Sequence, residues 1–261
     1  MARLRIAALG AISVLTLAAC SSTAGSSSSD GASEVPLVTP GTLTVCTNPP
    51  YEPFEYQEGD KLVGLDIDVV QQVADDLGVT LTTVETGFDG IQSGAALNAG
   101  TCDLVASAIT ITDERKGKLD FSDPYFDANQ GLLVPTGSGL DSLESLAGKK
   151  VGVQQATTGA DFAKKNNLDT LEYEDLGLQI QGLKNGDVDA VINDIAVLGP
   201  YATDGYEVGT EFVTGEQYGL GVKKGNTALL DKVNATLTRI KSDGTYDSIY
   251  TTYIGTAPSK G

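Results

Sequence analysis

Residues 107–125, SAITITDERKGKLDFSDPY, carry the side chains whose types and spacing best suit chemistry on a small molecule. An apolar run leads into two hydroxyl residues, Ser107 and Thr110. Thr112 then has the character of a helix N-cap, with two acids in the first turn and one guanidinium, Arg115, behind them. Hydroxyls at a strand end, a helix start and a single guanidinium suit a small carboxylate. A capped surface helix with an exposed arginine is the alternative.

The composition narrows the classes of protein to which this segment can belong. A chain of 261 residues allows one large domain or two of modest size. Lys and Arg total 17 against 35 Asp and Glu, and the net charge of −18 argues against nucleic acid or an anionic membrane surface as a partner. The sequence has no histidine, which excludes His-based triads and the common zinc sites. We expect no metal and no cofactor.

The first forty residues predict an export signal and a tether. Residues 1–5 carry two arginines, and residues 6–19 form an apolar run of 14 residues that is too short to span a bilayer comfortably. The run ends in LAACS, which resembles a bacterial lipoprotein signal. This resemblance implies that Cys20 is lipidated and anchors the protein to the outer face of the cell membrane; an ordinary secretory signal is the alternative. Residues 20–40, rich in Ser, Gly and Ala, predict a flexible tether.

The other two cysteines are Cys46 and Cys102. Export permits a disulfide between them. Cys46 lies near the end of one predicted strand, however, and Cys102 near the start of another, so parallel strands would keep them more than a bridge length apart. We therefore expect two buried thiols, with the disulfide as the open alternative.

The apolar periodicity predicts an α/β fold that must position residues 107–125. Strands and helices alternate twice, which implies parallel sheets with helices on both faces. The predicted strands are 43–47, 79–84, 103–107, 131–135, 151–154, 188–192 and the extended segment 218–223. The predicted helices are 67–77, 90–98, 143–146, 157–164, 179–184, 229–240 and 246–253.

Six stretches in register give the chain its resemblance to a known family. They are TVCTNPPYEPFEY (44–56), LVGLDIDVV (62–70), SAITITDERKGKLDFSDPYF (107–126), VGVQQATTG (151–159), NGDVDAVINDIAVL (185–198) and SDGTYDSIY (242–250). In these stretches the chain resembles the amino-acid-binding proteins of bacterial ABC importers, the family 3 solute-binding proteins. The resemblance implies a monomer that captures a free L-amino acid by closure of two lobes and delivers it to a membrane permease.

The resemblance also implies the architecture. The expected fold is the two-lobe, type II periplasmic-binding-protein-like fold, in which two parallel-type α/β sheets are joined by a two-strand hinge. Lobe 1 would comprise residues 41–130 and 219–256, lobe 2 residues 131–218, and residues 257–261 a tail. Segments 131–135 and 218–223 would contain the crossovers, which suits a short hinge.

Ligand-binding positions follow from the same resemblance. Arg115 would bind the ligand's α-carboxylate, and Asp194 would accept its ammonium from lobe 2. Tyr51 and Phe88 would sandwich the aliphatic stem of the ligand. The full set is Asn48, Tyr51, Phe88, Ser107, Ala108, Thr110, Arg115, Gln154, Thr157, Thr158 and Asp194. Alternatives are that Asp194 caps a helix and that the two aromatic residues belong to the core.

Ligand selectivity is the least determined feature. The neutral amides Asn48, Gln154 and Asn193 favour a polar, uncharged side chain such as that of glutamine. Glu52 or Asp89 would instead suit arginine or lysine. No second cation is placed to receive another carboxylate, which disfavours glutamate and aspartate.

A different class of function remains open at the sequence level. Some dehydratases resemble these binding proteins and use an acid in the cleft for proton transfer. Here Asp194 lies beside Asn193, with no second acid in a general-acid position, so we expect a binding protein and not an enzyme. A tethered sensor domain would need a separate signalling partner.

Overall fold

The computed structural model of the protein describes residues 35–203 and 205–256. These residues form two α/β lobes, each built around a five-stranded sheet. The strands are β1 (Thr42–Thr47), β2 (Tyr56–Glu58), β3 (Lys61–Val63), β4 (Thr80–Glu85), β5 (Leu104–Val105), β6 (Leu119–Phe121), β7 (Phe126–Pro135), β8 (Lys150–Gln154), β9 (Asp169–Tyr173), β10 (Ala190–Asp194), β11 (Tyr206–Tyr218) and β12 (Gly221–Lys223). The predicted α/β fold with two lobes is confirmed.

The helices cover the faces of the two sheets. They are α1 (Leu65–Leu77), α2 (Phe88–Gln92), α3 (Ala95–Asn98), α4 (Asp113–Lys116), α5 (Thr158–Lys165), α6 (Leu176–Asn185), α7 (Ile195–Leu198), α8 (Thr227–Asp243) and α9 (Thr245–Tyr253), with a short 3-10 turn at Gly199–Tyr201. In α1 and α8 most apolar positions at helical spacing are buried, as their periodicity predicts, while Leu77 and Leu230 are half-buried. Gly78 and Gly244 end these helices in the left-handed conformation.

Each sheet is mixed, not purely parallel. The order in lobe 1 is β4-β1-β5-β12-β6, where β1 runs parallel to both neighbours and β12 antiparallel to both of its own. The order in lobe 2 is β11-β7-β10-β8-β9, where β8 runs parallel to both neighbours and β7 antiparallel to both. In lobe 1 the three parallel strands β1, β4 and β5 are those of the predicted βαβ run. In lobe 2, β8 and β10 correspond to predicted strands, whereas β9 is a parallel strand that the sequence analysis did not predict. The antiparallel strands come from the segments that pass between the lobes.

The crossovers lie slightly away from the expected segments 131–135 and 218–223. Residues 131–135 already pair within the lobe 2 sheet, and 221–223 form an inner strand of the lobe 1 sheet. The chain therefore changes sheet between Phe121 and Gln130 and returns between Phe212 and Gly221. Strand β11, which the sequence analysis did not predict, is an edge strand in which exposed and half-buried residues alternate. Its exposed positions include the apolar Val213, so the pattern of polar and apolar residues is irregular.

Two predicted elements are altered by local polar contacts and glycine. Residues 143–146 form turns instead of a helix, since the Ser145 hydroxyl accepts hydrogen bonds from two preceding backbone N–H groups and so competes with helical bonding. The segment 90–98 is two short helices separated at Gly94, which has a φ of 73°. Strand 103–107 shortens to two residues because the chain turns at Ala108, with φ 42°.

Cys46 and Cys102 form a disulfide, so the expectation of two buried thiols is wrong. Cys46 lies opposite Val105 in the sheet, and Cys102 precedes the strand, where the chain leaves α3. The side chains of both cysteines lie in one apolar cluster under α2 and α3. Because Cys102 lies in the bent segment before β5 and not in an extended strand, its Cα atom is 5.7 Å from that of Cys46, within bridging distance.

The end of the predicted tether is part of the folded body. Val35 is buried, and the backbone N–H of Val38 donates to the carboxylate of Asp103 at 2.6 Å. The composition predicts a tether up to residue 40, but composition does not detect a single buried residue such as Val35. The signal peptide, Cys20, the rest of the tether and the tail 257–261 lie outside the described residues. Within the described ranges, no helix has the length and apolar character needed to cross a membrane.

Candidate ligand-binding site

A cavity of about 280 Å³, counted with its opening to solvent, lies between the two lobes. Ten of the eleven predicted site residues line it. Lobe 1 contributes Asn48, Tyr51, Phe88, Ser107, Ala108, Thr110 and Arg115, and lobe 2 contributes Gln154, Thr157 and Thr158. The eleventh, Asp194, lies deeper in lobe 2 and does not line the cavity. Arg115 is the one charged side chain among the lining residues.

Arg115 is buried, so the interpretation as an exposed arginine on a surface helix is wrong. Arg115 belongs to α4, and Thr112 is the N-cap of this helix as predicted, because its hydroxyl accepts the Arg115 N–H at 3.2 Å. The guanidinium Nη1 donates to the carbonyl of Thr110 at 2.9 Å, and Nη2 donates across the cleft to the carbonyl of Ala156 at 3.0 Å. The group lies 5.2 Å from the ring centroid of Phe88.

The guanidinium keeps its charge and part of its donor capacity. Burial lowers the pKa of Arg115 from its ordinary value. Arginine nevertheless stays protonated in proteins, and its guanidinium has five N–H groups. Two of these bond to the backbone carbonyls, so three remain for a ligand. A carboxylate that entered the cavity would meet a fixed positive charge with free donors.

The Ser107 hydroxyl is oriented by a buried acid, Glu55. The hydroxyl donates to Glu55 Oε1 at 2.6 Å and accepts the backbone N–H of Asn48 at 3.1 Å. Burial raises the pKa of Glu55 well above its ordinary value, and the neighbouring Asp66 raises it further. Because its single proton is committed, Ser107 offers a ligand only a lone pair. It therefore suits a donor such as an ammonium.

Asp66 holds the turn that carries the site. Its Oδ2 accepts the backbone N–H of Ala108 at 2.7 Å, and its Oδ1 accepts the Tyr125 hydroxyl at 2.6 Å. Ala108 adopts a φ of 42°, which a non-glycine residue rarely adopts without such support. Burial raises the pKa of Asp66 to about 6. The two acids Glu55 and Asp66 thus position consecutive residues of the cavity wall.

The lobe 2 wall is the start of α5. The Thr157 side chain caps the helix by accepting the N–H of Ala160 at 3.1 Å, while its hydroxyl donates to the carbonyl of Gln154 at 2.6 Å. Thr158 is the first residue of α5, and its hydroxyl lies 3.4 Å from that of Thr110 in lobe 1. The positive end of the helix dipole and the hydroxyls therefore add to the attraction for an anion.

Asp194 lies at the end of β10 inside a polar network. Its carboxylate accepts hydrogen bonds from the hydroxyl of Tyr51, at 3.2 Å, from the hydroxyl of Tyr218 and from the amide of Gln130. Burial raises its pKa to about 6. Asp194 stands at the N-cap position of α7, yet its side chain makes no capping bond, so it does not act as a helix cap. Tyr51 is the lining residue that connects it to the cavity.

One end of the cavity is closed by neutral amides. Gln154 Nε2 donates across the cleft to Asn48 Oδ1 at 3.1 Å, and both side chains are buried. The acids Glu52 and Asp89 are not among the lining residues. The cavity therefore combines a cationic, hydroxyl-rich side with an uncharged amide end.

A family model of bacterial extracellular solute-binding proteins, family 3, matches residues 43–256. The chain belongs to this family. It is 35% identical over 260 residues to a probable histidine-binding protein of Neisseria gonorrhoeae, with 95% of this chain and 94% of the relative covered. It is 36% identical over 208 residues to the ABC transporter glutamine-binding protein GlnH of Bacillus subtilis strain 168, with 77% and 76% covered.

Solved structures similar to this family 3 solute-binding protein are also amino-acid-binding proteins. The solved structure of an ancestral arginine-binding protein bound to glutamine matches with a TM-score of 0.79 at 42% identity. The match covers 83% of this chain and 99% of that chain. All three of these similar proteins are named as binding proteins.

Four buried polar residues of this solute-binding protein support the site but were not predicted from the sequence. They are Glu55, Asp66, Gln130 and Tyr218. Both Glu55 and Asp66 occur within stretches that carry the family resemblance. Asp66 lies in the first turn of α1, where an acid is equally typical of a solvated N-terminus, and Glu55 follows a turn, where polar residues are common. Only the tertiary contacts distinguish the two situations.

Proposed function

We propose that this protein captures a free, polar amino acid with a glutamine-like side chain between its lobes and delivers it to the permease of an ABC importer. The observation that carries the proposal is the buried Arg115 guanidinium, which faces a cavity lined by hydroxyls from both lobes. The names of the relatives, which cite histidine, glutamine and arginine, support an amino acid as the ligand.

In the proposed complex, the ends of the zwitterion are recognised separately. The α-carboxylate bonds to the remaining N–H groups of Arg115 and lies at the N-terminus of α5. The α-ammonium donates to the remaining lone pair of Ser107, and Asp194, which lies behind Tyr51 in lobe 2, supplies the opposite charge. Taking both ligand charges out of water is costly unless each meets such a partner.

Closure of the lobes couples binding to conformation. Hydrogen bonds that join the lobes beside the cavity include those from Tyr51 to Asn193, from Gln154 to Asn48, and from Arg115 to Ala156. A ligand that contacts Arg115 on one lobe and the Thr157–Thr158 turn on the other binds the closed form better than the open one. It therefore shifts the population toward closure, which the permease would recognise.

The proposed cellular location follows from the export signal. Cleavage before Cys20 and lipidation of this residue would hold the protein on the outer face of the membrane as a monomer. Replacement of Cys20 by Ser should release the protein into the soluble fraction. Persistent membrane association of this variant would contradict the anchor.

A thermal-shift screen against the twenty amino acids tests the proposed function. A ligand that binds only the native state raises the Tm, in proportion to the logarithm of its concentration once saturating. We expect the largest rise for glutamine or another polar, uncharged amino acid. A screen in which arginine or lysine gives the largest rise would favour the basic-ligand alternative, and a flat screen would contradict the proposal.

A further inference from the structure

Four buried amide side chains form a continuous hydrogen-bonded series from the cavity into the core of lobe 2. They are Asn48, Gln154, Asn193 and Gln179. Gln154 Nε2 donates to Asn48 Oδ1 at 3.1 Å, and Asn193 Nδ2 lies 3.5 Å from Gln154 Oε1 and 2.8 Å from Gln179 Oε1. An amide has one donor end and one acceptor end, so the orientation of each member constrains the next.

The backbone fixes the orientation at the inner end of this amide series. Gln179, on α6, donates from Nε2 to the carbonyls of Gly152 and Ile192, both at 2.9 Å. Carbonyl oxygens only accept, so the nitrogen of Gln179 must face them and its oxygen must face Asn193. Gln179 is fully buried, and a reversed amide would leave two buried acceptors facing a third.

A second backbone group fixes Asn193 independently. Its Oδ1 accepts the backbone N–H of Asp194 at 2.8 Å, and that N–H can only donate. The Tyr51 hydroxyl donates to the same oxygen at 2.7 Å. Asn193 therefore presents Nδ2 on its other side, toward both Gln179 and Gln154. The two determinations agree.

The orientation of Asn193 fixes the orientation of the Gln154 amide, which contacts Asn48 at the cavity. If its amide were reversed, its NH2 group would face the NH2 group of Asn193, which is unfavourable at 3.5 Å in a buried site. Gln154 therefore donates from Nε2 to Asn48 Oδ1, so this oxygen of Asn48 already has a partner. The Nδ2 of Asn48 donates to no protein atom in the described part of the chain, and Asn48 lines the cavity.

We infer that Asn48 presents an NH2 donor to the side chain of the bound amino acid and so selects side chains that end in a hydrogen-bond acceptor. Carbonyl, ureido and sulfoxide oxygens fit this requirement, whereas ammonium and guanidinium groups, which only donate, do not. Asn48 is the specificity-determining residue, and Gln179 is a positioning residue that acts through the series. The inference rests on the proposed function and names the side-chain chemistry of its ligand.

The test uses two neutral ligands, so that charge does not contribute. L-Methionine sulfoxide adds one acceptor oxygen, and no donor, to L-methionine. Each compound competes, in calorimetry, against the amino acid that gives the largest Tm rise. We expect the sulfoxide to compete about tenfold more strongly, as one additional hydrogen bond implies. Equal or weaker competition by the sulfoxide, or none by either compound, would overturn the inference.

A matched pair of variants on α6 tests the remote determinant. Gln179→Met removes the backbone-anchored amide, and the sulfoxide-to-methionine ratio should fall toward one. Gln181→Met, which removes an exposed amide two positions away that bonds only to Asn185, should leave the ratio unchanged. If Gln179→Met does not fold, Asn48→Ala should abolish the ratio directly, and an unchanged ratio in a folded variant contradicts the inference. Binding of no amino acid at all would instead reject the proposed function.

Discussion

The hydroxyl of Tyr51 in lobe 1 donates across the cleft to Asn193 Oδ1 in lobe 2, at 2.7 Å, and lies 3.2 Å from Asp194 Oδ2. One proton serves one acceptor at a time, and the shorter distance favours Asn193. Asp194 is then bonded mainly by Tyr218 and Gln130. The Tyr51 hydroxyl thus bridges the two lobes and contacts both Asn193, a member of the amide series, and Asp194, the proposed partner of the ligand's ammonium.

The ionisation of Asp194 predicts a pH dependence of ligand affinity. Burial raises its pKa to about 6, and an ammonium binds the ionised carboxylate better than the neutral acid. Affinity should therefore fall about tenfold between pH 7.5 and pH 5, as the ionised fraction falls. Calorimetric titrations at the two pH values measure the change.

The variant Asp194→Asn provides the control for this prediction. It should bind at least tenfold more weakly at pH 7.5, as expected for the loss of a charged partner, and should show little further loss at pH 5. A tenfold pH effect that persists in Asp194→Asn would show that another group carries it.

Asp66 predicts a pH dependence of stability. Its folded pKa of about 6 lies above that of an aspartate in an unfolded chain, so the native state holds the proton more tightly. The resulting stabilisation is complete below pH 4 and is lost as the pH rises through 6. The free energy of unfolding of Asp66→Asn, relative to that of wild type, should therefore be about 2 kcal/mol higher at pH 7 than at pH 4.

Urea denaturation across this pH range measures the difference. Asp113→Asn, an exposed residue, controls for removing one negative charge from a protein of net charge −18. This variant should follow the wild-type pH profile. A constant difference between Asp66→Asn and wild type at all pH values would contradict the assignment.

The Cys46–Cys102 disulfide predicts a stability that depends on redox state. The two residues are 56 positions apart, and a closed loop of this length stabilises the fold by about 4 kcal/mol through the entropy of the unfolded chain. Reduction, or the double variant Cys46→Ala/Cys102→Ala, should lower the free energy of unfolding by up to that amount. Urea denaturation with and without reductant measures it. Detection of Cys46 and Cys102 as free thiols in the unreduced, folded protein would contradict the disulfide.

The parts of the fold that the sequence predicted are those determined by local patterns. The helical spacing of the apolar residues in α1 and α8 and the glycines that end them are sufficient to locate both helices. The N-cap at Thr112 is likewise local. The helix expected at 143–146 failed because serine side chains bond to the nearby backbone, an outcome that periodicity does not capture.

The site itself was only partly predictable. Arg115 and its hydroxyl neighbours occur within one short segment, so their types and spacing indicated a carboxylate receptor. The Ser107–Glu55 and Ala108–Asp66 contacts join residues 52 and 42 positions apart, and no local pattern marks them. The orientation of the amides from Gln179 to Asn48 depends on backbone groups of two strands, β8 and β10, and so exists only in the folded lobes.

The most direct test of the account is calorimetric titration of wild type and Arg115→Ala with the amino acid that gives the largest Tm rise. Arg239→Ala, which removes a surface arginine bonded to Asp76, is the matched control. The account predicts one ligand per protein, an affinity at least 100-fold lower for Arg115→Ala, as expected when a buried charged partner is lost, and unchanged affinity for Arg239→Ala. Equal affinity of Arg115→Ala and wild type would contradict it.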